Sequence, residues 1–131
     1  MSDNYTMCFA CGKDNPIGLK MKFREEEGKN ISTFTAGPEH QSYDGVLHGG
    51  LISTLLDEVM AGYLNKKGLH AVTGRLEVRY RHPTPIHEPL TITGWITKER
   101  GKLYEMAAEI TLADGTVTAE GKSTIAIIKS E

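Results

Sequence analysis

No apolar run in this chain approaches the ~20 residues that a membrane-spanning helix needs. The polar opening, MSDNYT, also lacks the apolar core of a signal peptide. These absences make a cytoplasmic protein without a membrane partner the expectation. Charge of one sign is missing too: 15 Lys and Arg are interspersed among 17 Asp and Glu, for a net charge of -2. That leaves no basic stripe for a nucleic-acid partner. Cysteine is scarce, only Cys8 and Cys11 in the segment CFACG. A structural zinc site usually draws four ligands, yet there is no second cysteine pair, and His40, His48, His70, His82 and His87 are scattered. No metal site is expected. A redox CxxC would open a helix after a strand, whereas this pair precedes the turn-like KDNPIG, so the cysteines read as reduced side chains of an N-terminal loop. At 131 residues the chain suits one domain, 1–131, large enough for a single core.

What is present is organised around residues 48–64, HGGLISTLLDEVMAGYL. Leu51, Ile52, Leu55, Leu56, Val59, Met60 and Tyr63 recur at helical spacing, which predicts a helix with a broad apolar face. Gly50, Ser53, Thr54, Asp57 and Ala61 fall three and four apart on a second, narrow face of small and polar side chains, the kind of strip that suits a ligand cleft. Asp57 and Glu58 are carboxylates where such a helix has least use for charge. Burying one unpaired costs several kcal/mol, so at least one of them needs a partner, water or a task. Asp57, on the polar strip, is the better candidate for chemistry, with a solvated helix face as the plain alternative. Glu58 points either to solvent or to the margin of the cleft.

The remainder reads as strand. Leu19, Met21 and Phe23 alternate with Lys20, Lys22 and Arg24, and EEEGKN turns this segment into a second strand over 31–36. GPEHQSYDGV then leads to the helix, and Gly68 stands just past its end. Over 70–81, Val72, Gly74, Leu76, Val78 and Tyr80 form one face and Thr73, Arg75, Glu77 and Arg79 the other, until HPTP stops the strand. Further strands are predicted over 90–97, 104–112 and 117–128, the last two joined at Asp114-Gly115. About six strands and one long helix imply an α+β hotdog fold, a curved antiparallel sheet wrapped around the helix.

CFACGKDNPIGLKMKF, HQSYDGVLHGG, LISTLLDE and RYRHPTP together resemble the hotdog acyl-CoA thioesterases of the phenylacetate-degradation and hydroxybenzoyl-CoA groups. The resemblance implies hydrolysis of an acyl-CoA thioester without a cofactor. It places the thioester carbonyl on the backbone N–H of Gly49 and gives the carboxylate role to Asp57, as general base on water or as nucleophile forming a mixed anhydride. His48 then either orients its loop, the favoured role, or acts as general acid. Gly50, Ser53 and Thr54 are expected to line the substrate site, with Gln41 and Ser42 where relatives carry a group that places the carbonyl or the water. Some relatives have Ser or Thr before the proline that ends the next strand; His82 stands there, with Thr84 nearby.

Gly49 and Asp57 are eight residues apart on one helix, about 12 Å along its axis, too far to reach one thioester carbon. If both roles hold, each site is shared by two copies, so a homodimer is expected, with the strand over 70–81 as the candidate for pairing across it; the resemblance implies that such dimers pair further into a homotetramer. Lys66, Lys67, Arg75, Arg79, Arg81 and Arg100 are candidates for coenzyme A phosphates or simply a solvated face. Leu55, Val59, Met60 and Tyr63 either line an acyl pocket or fill the core. Two other readings share the fold: a hydratase or dehydratase, and a noncatalytic acyl-CoA-binding protein.

Overall fold

The computed structural model describes residues 6–130; most of the polar opening stretch, residues 1–5, lies outside the described residues. Six strands form one antiparallel sheet in the order β1-β2-β4-β5-β6-β3. They are β1 (Arg24–Glu26), β2 (Lys29–Thr35), β3 (Leu69–Tyr80), β4 (Pro89–Arg100), β5 (Leu103–Thr111) and β6 (Val117–Ser130), with one α-helix, α1 (Gly49–Asn65), between β2 and β3. The chain therefore crosses from one side of the sheet to its far edge through the helix, and the expected hotdog arrangement is what results. Among the described residues no helix is long and apolar enough to cross a membrane.

The helix forms where the 3.6-residue spacing predicts it. Ile52, Leu55, Leu56, Val59, Met60, Tyr63 and Leu64 are all buried. Complete burial of a Leu, Val or Met side chain contributes about 1.5–3 kcal/mol each, which outweighs the cost of the two glycines in the first turn, about 1 kcal/mol apiece. Leu55, Val59, Met60 and Tyr63 thus fill the core instead of lining a pocket. The sheet is cut away to receive the helix at two glycines. A Cβ on Gly94 of β4 would lie 2.8 Å from the Val59 carbonyl oxygen, and one on Gly121 of β6 3.4 Å from Leu56 Cβ. Asn30 of β2 is buried but satisfied, donating to the Val59 carbonyl (3.1 Å) and accepting from Lys66 Nζ (3.3 Å).

Three expectations change. The strand over 19–24 is absent apart from its last residue, since β1 begins at Arg24. Leu19 and Met21 are buried and Lys20 and Lys22 exposed, as alternation requires, yet the Leu19 and Met21 amides donate to the Phe9 and Ala10 carbonyls (2.8 and 2.9 Å) of the N-terminal loop. Alternation reports which side chains are covered, not which backbone covers them. The β1–β2 hairpin itself turns on Glu27 and Gly28, both at positive φ. The turn at Asp114-Gly115 is wider than two residues: Leu112 N donates to Thr116 O (2.9 Å), and Asp114 Oδ1 accepts from Thr116 N (2.9 Å).

The third change matters most. β3 slips register against β6 between Thr73 and Arg75, leaving Gly74 as an extra residue, a β-bulge. Beyond it Leu76 and Val78 face inward as predicted, but before it the phase is reversed. Val72 is 47% exposed, and Thr73 turns toward α1.

Candidate active site

The start of α1 is built by His48. Its backbone is extended (φ -61°, ψ 134°) and its Nδ1 accepts the Gly50 amide at 2.9 Å, capping the helix. An Nδ1 that accepts leaves the proton of a neutral ring on Nε2, so the imidazole orients the turn. The loop before it is fastened on both sides: His48 N donates to His40 O (2.9 Å) and Leu47 N to Thr84 O (2.8 Å). Neither Gly49 nor Gly50 has a positive φ. Among the described residues the Gly49 amide donates no hydrogen bond, as expected of a first-turn N–H. It sits at the positive end of the helix dipole, a place that favours a developing oxyanion.

Tyr80, from the end of β3, lies against this turn. Its hydroxyl donates to Gly49 O (3.0 Å) and is 3.0 Å from Ser53 Oγ. A cleft of about 410 Å³ opens here, lined by Ser42, Gly49, Ile52, Tyr80, His82 and Thr84 among others. Thr84 is buried, and its hydroxyl has no hydrogen-bond partner among the described residues. Such an orphan costs about 1–3 kcal/mol unless water or a ligand meets it.

Asp57 sits near the middle of the same helix, half-buried. Thr73 Oγ1 donates to its Oδ1 at 2.6 Å, a short charge-assisted bond that fixes the carboxylate. The helix is continuous from Gly49 to Asn65, so the separation of about 12 Å between the Gly49 amide and Asp57 stands. Within one chain they stand in two separate places. Gly49, Ser42 and His82 share the cleft, with Gly50 and Ser53 beside it, whereas Asp57 is not among its lining residues. Gln41 and Thr54 are engaged internally: Gln41 Oε1 accepts Gly45 N (3.0 Å), and Thr54 Oγ1 donates to Gly50 O (3.0 Å). Thr73 is the residue that sequence reasoning missed. The sequence has His82 where some relatives carry a hydroxyl, and its only signal for position 73 is the lone glycine that follows in a strand pattern.

Glu58, the next residue after Asp57, faces elsewhere. Its carboxylate lies with the Cys8 and Cys11 thiols, the three donor atoms within 4.8 Å of one another. Burial pushes its pKa up to about 7, opposed by the Cys11 thiol hydrogen bond and assisted by the Asp57 charge. Burial likewise raises the Cys11 thiol, with the Glu58 charge adding to it. The candidate phosphate-binding cations divide. Lys67 pairs with Glu25 (3.5 Å), Arg81 with Glu120 (3.0 Å) and Arg100 with Glu105 (2.6 Å), while Lys66 binds Asn30. Arg75 and Arg79, both exposed on β3, make no ion pair among the described residues.

Residues 44–119, from the loop ahead of α1 into β6, match the family described as the Thioesterase superfamily. Acyl-coenzyme A thioesterase 13 of Homo sapiens is 31% identical over 100 residues, covering 74% of this chain and 71% of that protein. The crystal structure of another thioesterase superfamily protein has a TM-score of 0.82 at 30% identity, over 88% of this chain and 60% of that one; the chain spans under two thirds of that relative. A hypothetical thioesterase from Streptococcus pneumoniae, solved with coenzyme A, shares the fold, with a TM-score of 0.78 at 21% identity over 85% of this chain and 90% of that one. The helix-wrapping sheet, the capped glycine turn and these matches together make the chain a member of the thioesterase superfamily, a thioesterase on the hotdog fold.

Proposed function

We propose that the chain, acting as one domain, hydrolyses acyl-coenzyme A thioesters to free acid and thiol in a site shared by two copies. Asp57 of one copy activates water, or attacks the thioester carbon itself, while the Gly49 amide of the other copy polarises the carbonyl. The observation that carries this reading is the Thr73–Asp57 hydrogen bond. It holds one carboxylate oxygen and directs the other, which accepts no hydrogen bond among the described residues. Acyl-CoA is favoured as substrate because acyl-CoA thioesterase 13 carries that activity in its name and the Streptococcus pneumoniae protein was solved with coenzyme A. Arg75 and Arg79 are the cations left for its phosphates.

The sharing follows from distance. An attacking atom must come within about 3–3.5 Å of the carbon, and a donor within about 3 Å of its oxygen, so 12 Å of helix excludes both from one chain. The 12-residue strand β3 stands at the sheet edge with one in-chain neighbour, β6, and can pair with its own twofold copy. Such pairing brings two α1 helices side by side; a further pairing gives a tetramer.

Complementation between two inactive variants tests this. Asp57→Asn removes the carboxylate. Gly49→Pro removes the amide proton at the first helical position, where proline is tolerated and the preceding His48 is already extended. Each variant alone is expected to lose activity, Gly49→Pro by roughly a hundredfold or more. When the two are mixed and re-associated, half the dimers are heterodimers and half the sites in those are intact, so about a quarter of the wild-type rate returns. No recovery in verified heterodimers refutes the shared site.

A further inference from the structure

The N-terminal loop supplies two sulfur donors, and the fold adds a third ligand from 47 positions away. Cys8 Sγ, Cys11 Sγ and a Glu58 carboxylate oxygen lie within 4.8 Å of one another, all three residues half-buried. Ligands around a tetrahedral zinc, with Zn–S near 2.3 Å and Zn–O near 2.1 Å, stand roughly 3.5–3.8 Å apart. The cluster is therefore within about 1 Å of coordinating geometry, a gap that χ rotation of three side chains closes.

The backbone holds the donors in place. Gly12 N donates to Cys8 O (2.8 Å), and a Cβ on Gly12 would lie 2.4 Å from both Cys8 N and Thr6 O. Only glycine allows the chain to double back so tightly, which sets both thiols on one side of the knuckle. Asp14 N donates to Thr6 O (2.9 Å), and the Leu19 and Met21 amides bind the loop from the other flank. On the helix, a Cβ on Gly62 would lie 2.9 Å from Glu58 Oε2, so the missing side chain gives that carboxylate its room. No ion pair reaches Glu58 among the described residues. Three acidic donors thus converge without a cation.

We propose that Cys8, Cys11 and Glu58 form a divalent-metal site that takes zinc, with water as fourth ligand, and that the metal fastens the N-terminal loop to the middle of α1. Two thiolates and a carboxylate suit zinc over magnesium or calcium, which prefer all-oxygen shells. On binding, each thiol, and the Glu58 carboxyl where it is protonated, releases its proton to solvent; the zinc(II) ion offsets two of the three negative charges and the site keeps one. The site is independent of the thioesterase reading: its ligands include neither Asp57 nor Thr73, and its test does not use turnover.

The experiment uses the full chain purified under reducing conditions without chelator. Elemental analysis is expected to find one zinc per chain. Cobalt(II) exchanged into the site is expected to give the near-ultraviolet thiolate-to-metal charge transfer and the strong visible bands of a tetrahedral ion. Cys8→Ser and Cys11→Ser lose the charge-transfer band while keeping the far-ultraviolet circular dichroism of the fold, and Glu58→Gln binds roughly tenfold or more weakly. A chelator lowers the melting temperature of the wild type, and added zinc restores it. The proposal is overturned if the reduced wild type binds neither zinc nor cobalt at stoichiometric concentration. It is equally overturned if both cysteine variants keep the metal content of the wild type, or if the native chain is metal-free and lighter by the two hydrogens of a Cys8–Cys11 disulfide.

Discussion

Asp57 and Glu58 are neighbours on one helix with the same functional group, and their surroundings give them different chemistry. A step of one residue rotates the side chain by about 100°, enough to move it from the β3 side of α1 to the N-terminal loop. Asp57 meets a hydroxyl that donates at 2.6 Å; Glu58 meets two thiols and is shifted up to about 7 by burial. A carboxylate held by one donor keeps an oxygen for substrate, whereas one closed in by soft donors is better placed to hold a cation. The role is set by what the next element presents, not by the residue type.

The largest effect expected from breaking this contrast comes from Asp57→Asn. It preserves shape, and kcat on an acyl-CoA panel is expected to fall by roughly a hundredfold to ten-thousandfold with thioester binding retained, the range for loss of a general base. Equal turnover in wild type and variant would remove Asp57 from the mechanism. Next comes Thr73→Val, which removes the donor while keeping the volume. Loosening the carboxylate is expected to lower kcat by roughly 10- to 100-fold with little change in KM, and Thr73→Ser should restore most of it. Loss of the bond also leaves a half-buried acceptor, so the melting transition should fall by the equivalent of about 1–3 kcal/mol. Rescue by serine separates positioning from packing.

A third carboxylate sharpens the comparison from outside the helix. Glu25 accepts the Tyr63 hydroxyl at 2.8 Å and pairs with Lys67 at 3.5 Å, contacts that hold its pKa below the usual glutamate value. A lowered folded value means stabilisation that is present above the ordinary glutamate pKa and lost as pH falls through the lowered one. The effect is the smallest here, since Glu25 is exposed and screened. It should appear as a slightly smaller loss of melting temperature on acidification from about pH 5 to about pH 3 in Tyr63→Phe than in wild type.

The helix and its core were legible because a 3.6-residue apolar repeat over 17 residues has one solution. The half-buried strands were legible for the same reason at period two. The Gly49–Asp57 separation was legible as well, because it needs only the rise per residue. Thr73 was not, because one inserted residue at Gly74 reverses the phase of a strand, and alternation read across the bulge assigns Val72 and Thr73 to the wrong faces. The partners of Glu58 were hidden for another reason. Nothing local links CFACG to the middle of α1; only the fold of residues 19–21 back onto Phe9 and Ala10 carries the loop there.

β3 has a single in-chain neighbour, and that neighbour, β6, begins at Val117. A ribosome therefore finishes α1 and β3 well before it makes the strand that seats them. Until then the Thr73 hydroxyl has no fixed post, and both edges of β3 are open to any extended segment nearby. A chain stalled short of β6 carries Asp57, Thr73 and Gly49 in full and is expected to be both inert and prone to clump.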